Sequence, residues 1–325
     1  MQGKKIVVLG TGGTIAGEAS STDGTGGYTA AIRDVPTLLA SVPGLEHFAL
    51  ALETEQVAQI DSKDMDTVVW QRLLQRCRHW LVQPEVQGLV ITHGTDTMEE
   101  TAYFLQAVLA PTKPVVLTCA MRPATAADAD GPQNMMDALT VAAQPGAAGV
   151  MVVCAGVIHS AQAVQKVHTS RLDAFSSGDA GALGHVVQGD VWLTGAWPRA
   201  QAFYAPEAIE KIAAAGSWPR VEIVLSHAAA RGATVDALVA ADVAQRFGAA
   251  PVRGLVVAGT GNGTLHHELE AALLRAQAAG VRVLRASRCA FGQVLAAPTP
   301  LIEDSHGLTP VKARVAVMLA LLTAP

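Results

Sequence analysis

The chain has 325 residues, with 23 basic and 28 acidic side chains and a formal charge of -5, and is long enough for two domains with a sizeable core. Half of its residues are hydrophobic and 16% are charged, which excludes a disordered chain and the strongly basic surface of a nucleic-acid binder. Its four cysteines, Cys77, Cys119, Cys154 and Cys289, include no CxxC pair, so neither a disulfide framework nor a zinc ribbon is expected.

At the amino terminus the apolar run Ile6 to Leu9 is too short for a secretory segment before glycines break it, which makes the cytoplasm the expected location. The longest uncharged apolar stretch, Gly146 to Ile158, falls short of the roughly 20 residues that span a bilayer. Lys5-Ile-Val-Val-Leu9 reads as a central parallel strand that stops at Gly10-Thr-Gly-Gly13. Comparable runs are Gly88 to Thr92, Pro114 to Thr118 and Gly149 to Cys154, and the segments Met65 to Trp80 and Met98 to Leu109 between them carry helix-spaced apolar positions. Asn134 to Ala143 is a further helix, and Ser160 to Gly189 is expected to hold short antiparallel pieces. After a proline- and aromatic-rich stretch, strand-like runs at 221–226, 254–258 and 280–285 alternate with helix-like 234–247 and 266–279. Pro310 to Leu322 closes the chain as a helix with proline in its first turn. The expectation is a two-domain α/β protein. A larger amino-terminal domain, residues 1–195, has an open, mostly parallel sheet flanked by helices; 196–219 is the linker, and 220–325 is a smaller α/β domain.

Two segments at strand ends carry chemistry. In Gly10-Thr-Gly-Gly-Thr-Ile-Ala-Gly17 the glycines let backbone approach a ligand closely, but the spacing misses a dinucleotide fingerprint and no Walker lysine follows. Thr11 and Thr14 bracket these glycines, where a hydroxyl could face a substrate. The second segment, Thr92-His-Gly-Thr-Asp-Thr-Met-Glu-Glu-Thr101, also follows a strand and precedes a helix. Thr95 or Asp96 could cap that helix, and Glu99 and Glu100 suit its positive end, so local structure accounts for much of the composition. Capping does not account for a second hydroxyl and carboxylate at a strand edge neighbouring the first.

Together, Thr11-Gly-Gly-Thr-Ile-Ala-Gly17 and His93-Gly-Thr-Asp-Thr-Met-Glu-Glu-Thr101 resemble the two signature motifs of the bacterial L-asparaginase family. Asp61-Ser-Lys-Asp-Met65, Met121-Arg-Pro123, Asp130-Gly131 with Asn134, Gly259-Thr-Gly-Asn-Gly-Thr264 and Thr309-Pro-Val-Lys-Ala-Arg314 fall in the family's order. The resemblance implies that Thr14 is a nucleophile for a side-chain amide, with Tyr28 as its close partner on a mobile Gly/Ser/Thr-rich lid. It supplies Thr95, Asp96 and Lys166 as the second half of the site. A threonine hydroxyl needs a neighbouring base, and a covalent intermediate splits amide hydrolysis into two easier steps. A lysine acts as a base only when neutral, and pairing with a carboxylate opposes this, so the division of proton transfer between Tyr28 and Lys166 stays open.

By the same resemblance Ser62 and Asp96 bind the α-carboxylate and α-ammonium of an amino acid, with Lys63 beside the serine. Asn262 reaches a site from the adjacent subunit of a homo-oligomer, a tetramer built from dimers. Asparagine hydrolysis to aspartate and ammonia is the expected activity; the alternatives are a dual asparaginase-glutaminase and a non-catalytic asparagine or aspartate sensor. Cleavage of an aminoacyl-tRNA amide is disfavoured by the absence of a basic tract. The histidines form no H-x-x-x-H or H-E-x-x-H set, and no metal, cofactor, nucleic-acid partner or membrane partner is expected.

Overall fold

A computed structural model describes residues 3–19, 27–198, 200, 203–295 and 301–324. The chain divides into two compact units, Met1–Ala205 and Pro206–Pro325. Ser20 to Gly26, most of the stretch expected as a lid, lie outside the described residues.

The first unit contains, in chain order, β1 (Lys5–Gly12), β2 (Glu18–Ala19), β3 (Tyr28–Thr29), α1 (Val35–Ala40), β4 (Ala51–Ile60), α2 (Thr67–Leu81), β5 (Val86–Thr92) and α3 (Met98–Leu109). Then follow β6 (Pro114–Thr118), α4 (Gly131–Ala142), β7 (Gly149–Cys154), β8 (Val157–Ser160), β9 (Gln165–Lys166), β10 (Phe175–Ser176), β11 (Gly184–Val187) and β12 (Asp190–Leu193). Eight strands form one sheet in the order β12-β11-β8-β7-β6-β5-β1-β4. Strands β4, β1, β5, β6 and β7 run parallel, and β8, β11 and β12 extend the sheet antiparallel.

Both faces of the parallel strands are buried because each strand alternates two sets of apolar side chains. Ile6, Val8, Val90, Val116, Met151 and Val153 pack with α1 and α4 in one cluster. Val7, Leu9, Leu89, Ile91, Val115 and Leu117, the alternate positions, are equally buried. The chain leaves β1 toward β4 on one side and returns to β5 on the other. That reversal is a topological switch point, where the loops after neighbouring strands part and leave a crevice at the carboxyl ends.

The edge strand β4 does not show in the sequence as a strand. Its half-exposed surface carries Glu53, Glu55, Gln56 and Gln59, so the apolar run that marks a central strand is missing. Polar contacts secure it instead: Trp80 of α2 donates its indole N–H to Glu55 at 2.8 Å. Within the apolar run 146–158 the chain turns back as a hairpin, because Ala155 and Gly156 both adopt positive φ (50° and 72°) and reverse it between β7 and β8. Segment 160–189 holds the expected short antiparallel pieces, with β9 paired to β10.

The second unit comprises α5 (Pro206–Ala213), β13 (Arg220–Leu225), α6 (Ala233–Val239), α7 (Ala241–Arg246), β14 (Val252–Gly259), α8 (His267–Ala278), β15 (Arg282–Ser287), β16 (Glu303–Asp304) and α9 (Pro310–Thr323). Its four strands are all parallel in the order β13-β14-β15-β16. Helices α6 and α8 share a core with one face, and α9 with the other. Within the stretch expected as a linker, α5 packs against α9. The stretch expected as one helix over 234–247 is broken at Ala240, whose ψ of 119° is extended; no glycine or proline marks the break. Helix α9 begins as expected, with Pro310 in its first turn and the Thr309 hydroxyl accepting from the Lys312 N–H.

One close backbone approach governs the crevice. A Cβ on Gly13, whose φ is 82°, would lie 2.3 Å from the Gly94 nitrogen and 2.4 Å from its Cα. The loops after β1 and β5 therefore touch backbone to backbone, and only glycine fits. Gly13→Ala is expected to lower unfolding free energy by at least about 2 kcal/mol, since it adds both strain and a clash. Urea denaturation against wild type measures the loss; an unchanged midpoint would contradict the contact.

Candidate active site

The two glycine-bearing loops assemble two groups of side chains. After β1, Gly13 turns the chain into one helical turn, Thr14–Ala16, that buries Thr14. Its Oγ lies 2.9 Å from the hydroxyl of Tyr28, which is half exposed on β3. Thr11, the other hydroxyl bracketing the glycines, is structural: it donates to the Thr92 carbonyl at 2.7 Å and ties β1 to β5. Of the two threonines, Thr14 alone is paired with Tyr28.

After β5, Thr95 and Asp96 do not cap α3. The cap position belongs to Thr97, whose side chain makes no capping bond and donates instead to the Ser62 carbonyl at 2.8 Å. Thr95 and Asp96 are therefore available to Lys166 on β9, whose Nζ donates to Thr95 Oγ1 at 2.8 Å and to Asp96 Oδ1 at 2.6 Å. The short β9–β10 ladder, Lys166 opposite Phe175, holds the lysine in place. Buried Glu99, on the first turn of α3, accepts the Lys166 backbone N–H at 3.4 Å. In the sequence Glu99 suits the positive end of the helix; nothing in its spacing reveals this second contact.

Ser62 joins this group from the loop after β4. Its buried Oγ accepts the Asp96 N–H at 3.2 Å, and a Cβ on Gly94 would meet the same oxygen at 2.4 Å. Lys63 does not turn toward Asp96: its ammonium is exposed and paired with Asp64, with Asp61 at 3.8 Å. In the second unit Asn262 lies on the turn between Gly261 and Gly263, and its Oδ1 accepts the Leu295 N–H at 2.7 Å. The structure thus brings together Thr14 with Tyr28, and Thr95, Asp96, Lys166 and Ser62 around the second loop.

His93, noted in the sequence only as one of several unclustered histidines, underlies that loop. It is fully buried, with Nδ1 2.7 Å from the Gly94 carbonyl and Nε2 2.9 Å from Thr101 Oγ1. A carbonyl only accepts, so Nδ1 carries the proton. The Trp70 indole donates to Thr101 Oγ1 at 2.9 Å, and the threonine in turn donates to Nε2. Burial pulls the imidazole pKa down from the ordinary 6.5 to about 4, although its bond to Gly94 opposes this. A neutral ring fixes the Gly94 carbonyl without placing a cation beneath the site.

Residues 5–199 match the family described as "Asparaginase, N-terminal", and residues 220–324 match "Glutaminase/Asparaginase C-terminal domain". The chain is 36% identical to L-asparaginase 2 of Bacillus subtilis, over 97% of this chain and 82% of that protein. It is 36% identical to L-asparaginase 2 of Escherichia coli, covering 97% and 88%, and 35% identical to the glutaminase-asparaginase of Pseudomonas fluorescens, covering 97% and 86%. Among solved structures, the probable cytoplasmic L-asparaginase of Campylobacter jejuni superimposes with a TM-score of 0.86 at 38% identity, covering 99% of this chain and 96% of that one.

The His93 shift carries a pH signature. Its folded pKa lies below the unfolded value, so the unfolded chain binds more protons between them; the contribution is present above about 6.5 and lost as pH falls toward about 4. The span corresponds to on the order of 3 kcal/mol. Measured by chemical denaturation, His93→Gln is expected to be less stable at pH 7.5 but to show a shallower decline between pH 6.5 and 4.5; parallel declines would refute the assignment.

Proposed function

Because the chain belongs to the asparaginase family, we propose that it hydrolyses the side-chain amide of L-asparagine to L-aspartate and ammonia through an acyl-enzyme on Thr14. The observation that carries this reading is the meeting of two hydrogen-bonded groups, Thr14 with Tyr28 and Thr95 with Lys166 and Asp96, on loops whose backbones touch.

Thr14 Oγ attacks the amide carbon while its proton leaves through the Tyr28 hydroxyl, its hydrogen-bond partner. The tetrahedral state collapses as the amide nitrogen takes that proton, relayed through Tyr28, and leaves as ammonia; water then adds to the ester carbonyl, and its proton returns to Thr14 Oγ as aspartate departs. The Gly94 carbonyl is held toward His93, and a trans peptide directs the Thr95 N–H the opposite way. That N–H is the proposed donor to the oxyanion. Lys166 orients the Thr95 hydroxyl and balances the charge of Asp96.

The zwitterion is matched by complementary partners. Ser62 Oγ already accepts from Asp96, so its O–H is the donor proposed for the α-carboxylate. Asp96 gives Oδ1 to Lys166, and Oδ2 is the acceptor proposed for the α-ammonium. Asn262 is proposed to complete the site of a neighbouring copy, in a tetramer of dimers, and Lys63 to lie at its margin. The resemblance to a protein described as a probable cytoplasmic L-asparaginase supports a cytoplasmic enzyme. Relatives called glutaminase-asparaginase support a second reading with glutamine as a substrate, since a single methylene is worth only about 1–3 kcal/mol to a pocket.

The test is ammonia release from L-asparagine, L-glutamine and D-asparagine. Thr14→Ala is expected to lower turnover on asparagine by on the order of 10³-fold or more while aspartate still binds, and Tyr28→Phe by about 10²-fold with little change in thermal midpoint. An inactive wild type that binds aspartate would make the protein a sensor. Comparable rates on asparagine and glutamine would establish the dual activity.

A further inference from the structure

Tyr28 is only partly covered: its side chain is half exposed, and its strand β3 is two residues long. The ladder to β2 pairs Glu18 with Thr29 and Ala19 with Tyr28, and so short a ribbon is not stable on its own. Among the described residues, the position of Tyr28 therefore depends on what fastens β2 and the residues after β3. After β3, Ala31 donates to the Gly13 carbonyl at 3.1 Å, and Ile32 and Arg33 both donate to the Ala16 carbonyl. On the β2 side, successive N–H groups of an antiparallel strand alternate toward and away from the partner strand. The Ala19 N–H reaches the hydroxyl of Thr125 at 2.8 Å.

Thr125 lies on a turn closed by the Ala126 N–H to the Pro123 carbonyl at 2.9 Å. The turn is itself anchored, since the Asp130 carboxylate accepts the N–H groups of Met121 and Arg122 at 2.9 Å each. The neighbouring Ala124 N–H bonds the Gly17 carbonyl at 2.9 Å. Arg122 donates to the Ser170 carbonyl at 3.0 Å, four residues beyond Lys166, so one turn touches both halves of the site. Among the described residues, a second side-chain tie on β2 is the Arg33–Glu18 pair, whose partly exposed charges are weakened by water.

We propose that Thr125 is a positioning residue for Tyr28, its hydroxyl fastening β2 so that the tyrosine stays within reach of Thr14. The proposal rests on the reading of Tyr28 as the partner of the nucleophile. It assigns to the turn after β6 a part in catalysis without contact with substrate. Thr125→Val keeps the shape of the side chain and removes the acceptor, whereas Thr125→Ser keeps the acceptor.

Both variants are made in the wild-type and Tyr28→Phe backgrounds, with kcat and KM for L-asparagine, thermal midpoints, and hydrogen exchange at the Ala19 amide as readouts. Loss of one hydrogen bond sets the scale at about 5- to 10-fold. Thr125→Val is expected to lower kcat by that factor, with KM changed by less, and to speed Ala19 exchange by a similar factor. Thr125→Ser is expected to restore both, and in the Tyr28→Phe background Thr125→Val is expected to have no further effect on kcat. Equal losses in both backgrounds, or unaltered kcat and exchange in Thr125→Val, overturn the proposal. If Tyr28→Phe alone leaves turnover unchanged, the reading of Tyr28 falls and with it the catalytic consequence of Thr125. Ala19 exchange still decides separately whether the hydroxyl fastens β2.

Discussion

The contact of Gly13 with Gly94 is the constraint on which the site depends. Parallel strands β1 and β5 lie side by side, and their following loops would each carry side chains into the crevice if either glycine bore a Cβ. With both positions empty, the backbones meet and the next residues, Thr14 and Thr95, leave the junction in two directions. The same glycine at 94 makes room for Ser62 Oγ, which brings the loop after β4 into the cluster. Three strand ends are thereby joined within a few ångströms by the absence of side chains.

What surrounds this junction is arranged to keep it uncharged from below. The His93 ring is neutral through burial, and its single ring proton points at the Gly94 carbonyl. Trp70 and Thr101 fix that tautomer, and Trp70 stacks on Phe104 at 5.1 Å, so α2 and α3 transmit the rigidity of their packing to one peptide group. Among the described residues, the charged pair that meets Thr95 is Lys166 with Asp96. This separation suits a reaction whose negative charge develops on a single oxygen, because a fixed dipole needs no reorganisation as that charge grows.

The central strands and their glycine loops were legible because buried parallel strands require continuous apolar runs and glycine is the residue that permits close approach. Thr14, Thr95, Asp96 and Lys166 were legible through resemblance, since spacing alone left Thr95 and Asp96 equally suited to capping α3. The structure resolves that ambiguity by giving the cap position to Thr97. Edge strand β4 was not legible, because its stability comes from polar partners such as Trp80 and its sequence lacks an apolar run. The break at Ala240 was equally silent, as no residue there is a helix breaker. Lys63 stands in the right motif, yet its flexible side chain turns to the acids at 61 and 64, a choice that spacing does not encode.

The two halves of the site differ in what holds them. Thr95 is buried, and its partner Lys166 is fixed by its own backbone bond to Glu99 and by the loop that His93 supports. Thr14 is just as buried, but its partner Tyr28 stands half exposed on a two-residue strand that, among the described residues, is fastened by a few hydrogen bonds. An amide substrate must enter and an amino acid must leave, and a site built wholly on core elements would have to open its core to allow either. Placing only Tyr28, the partner of the proposed nucleophile, on a lightly fastened element confines that movement to bonds that cost little to break. Thr14, Thr95 and Ser62 can then remain fixed through a catalytic cycle.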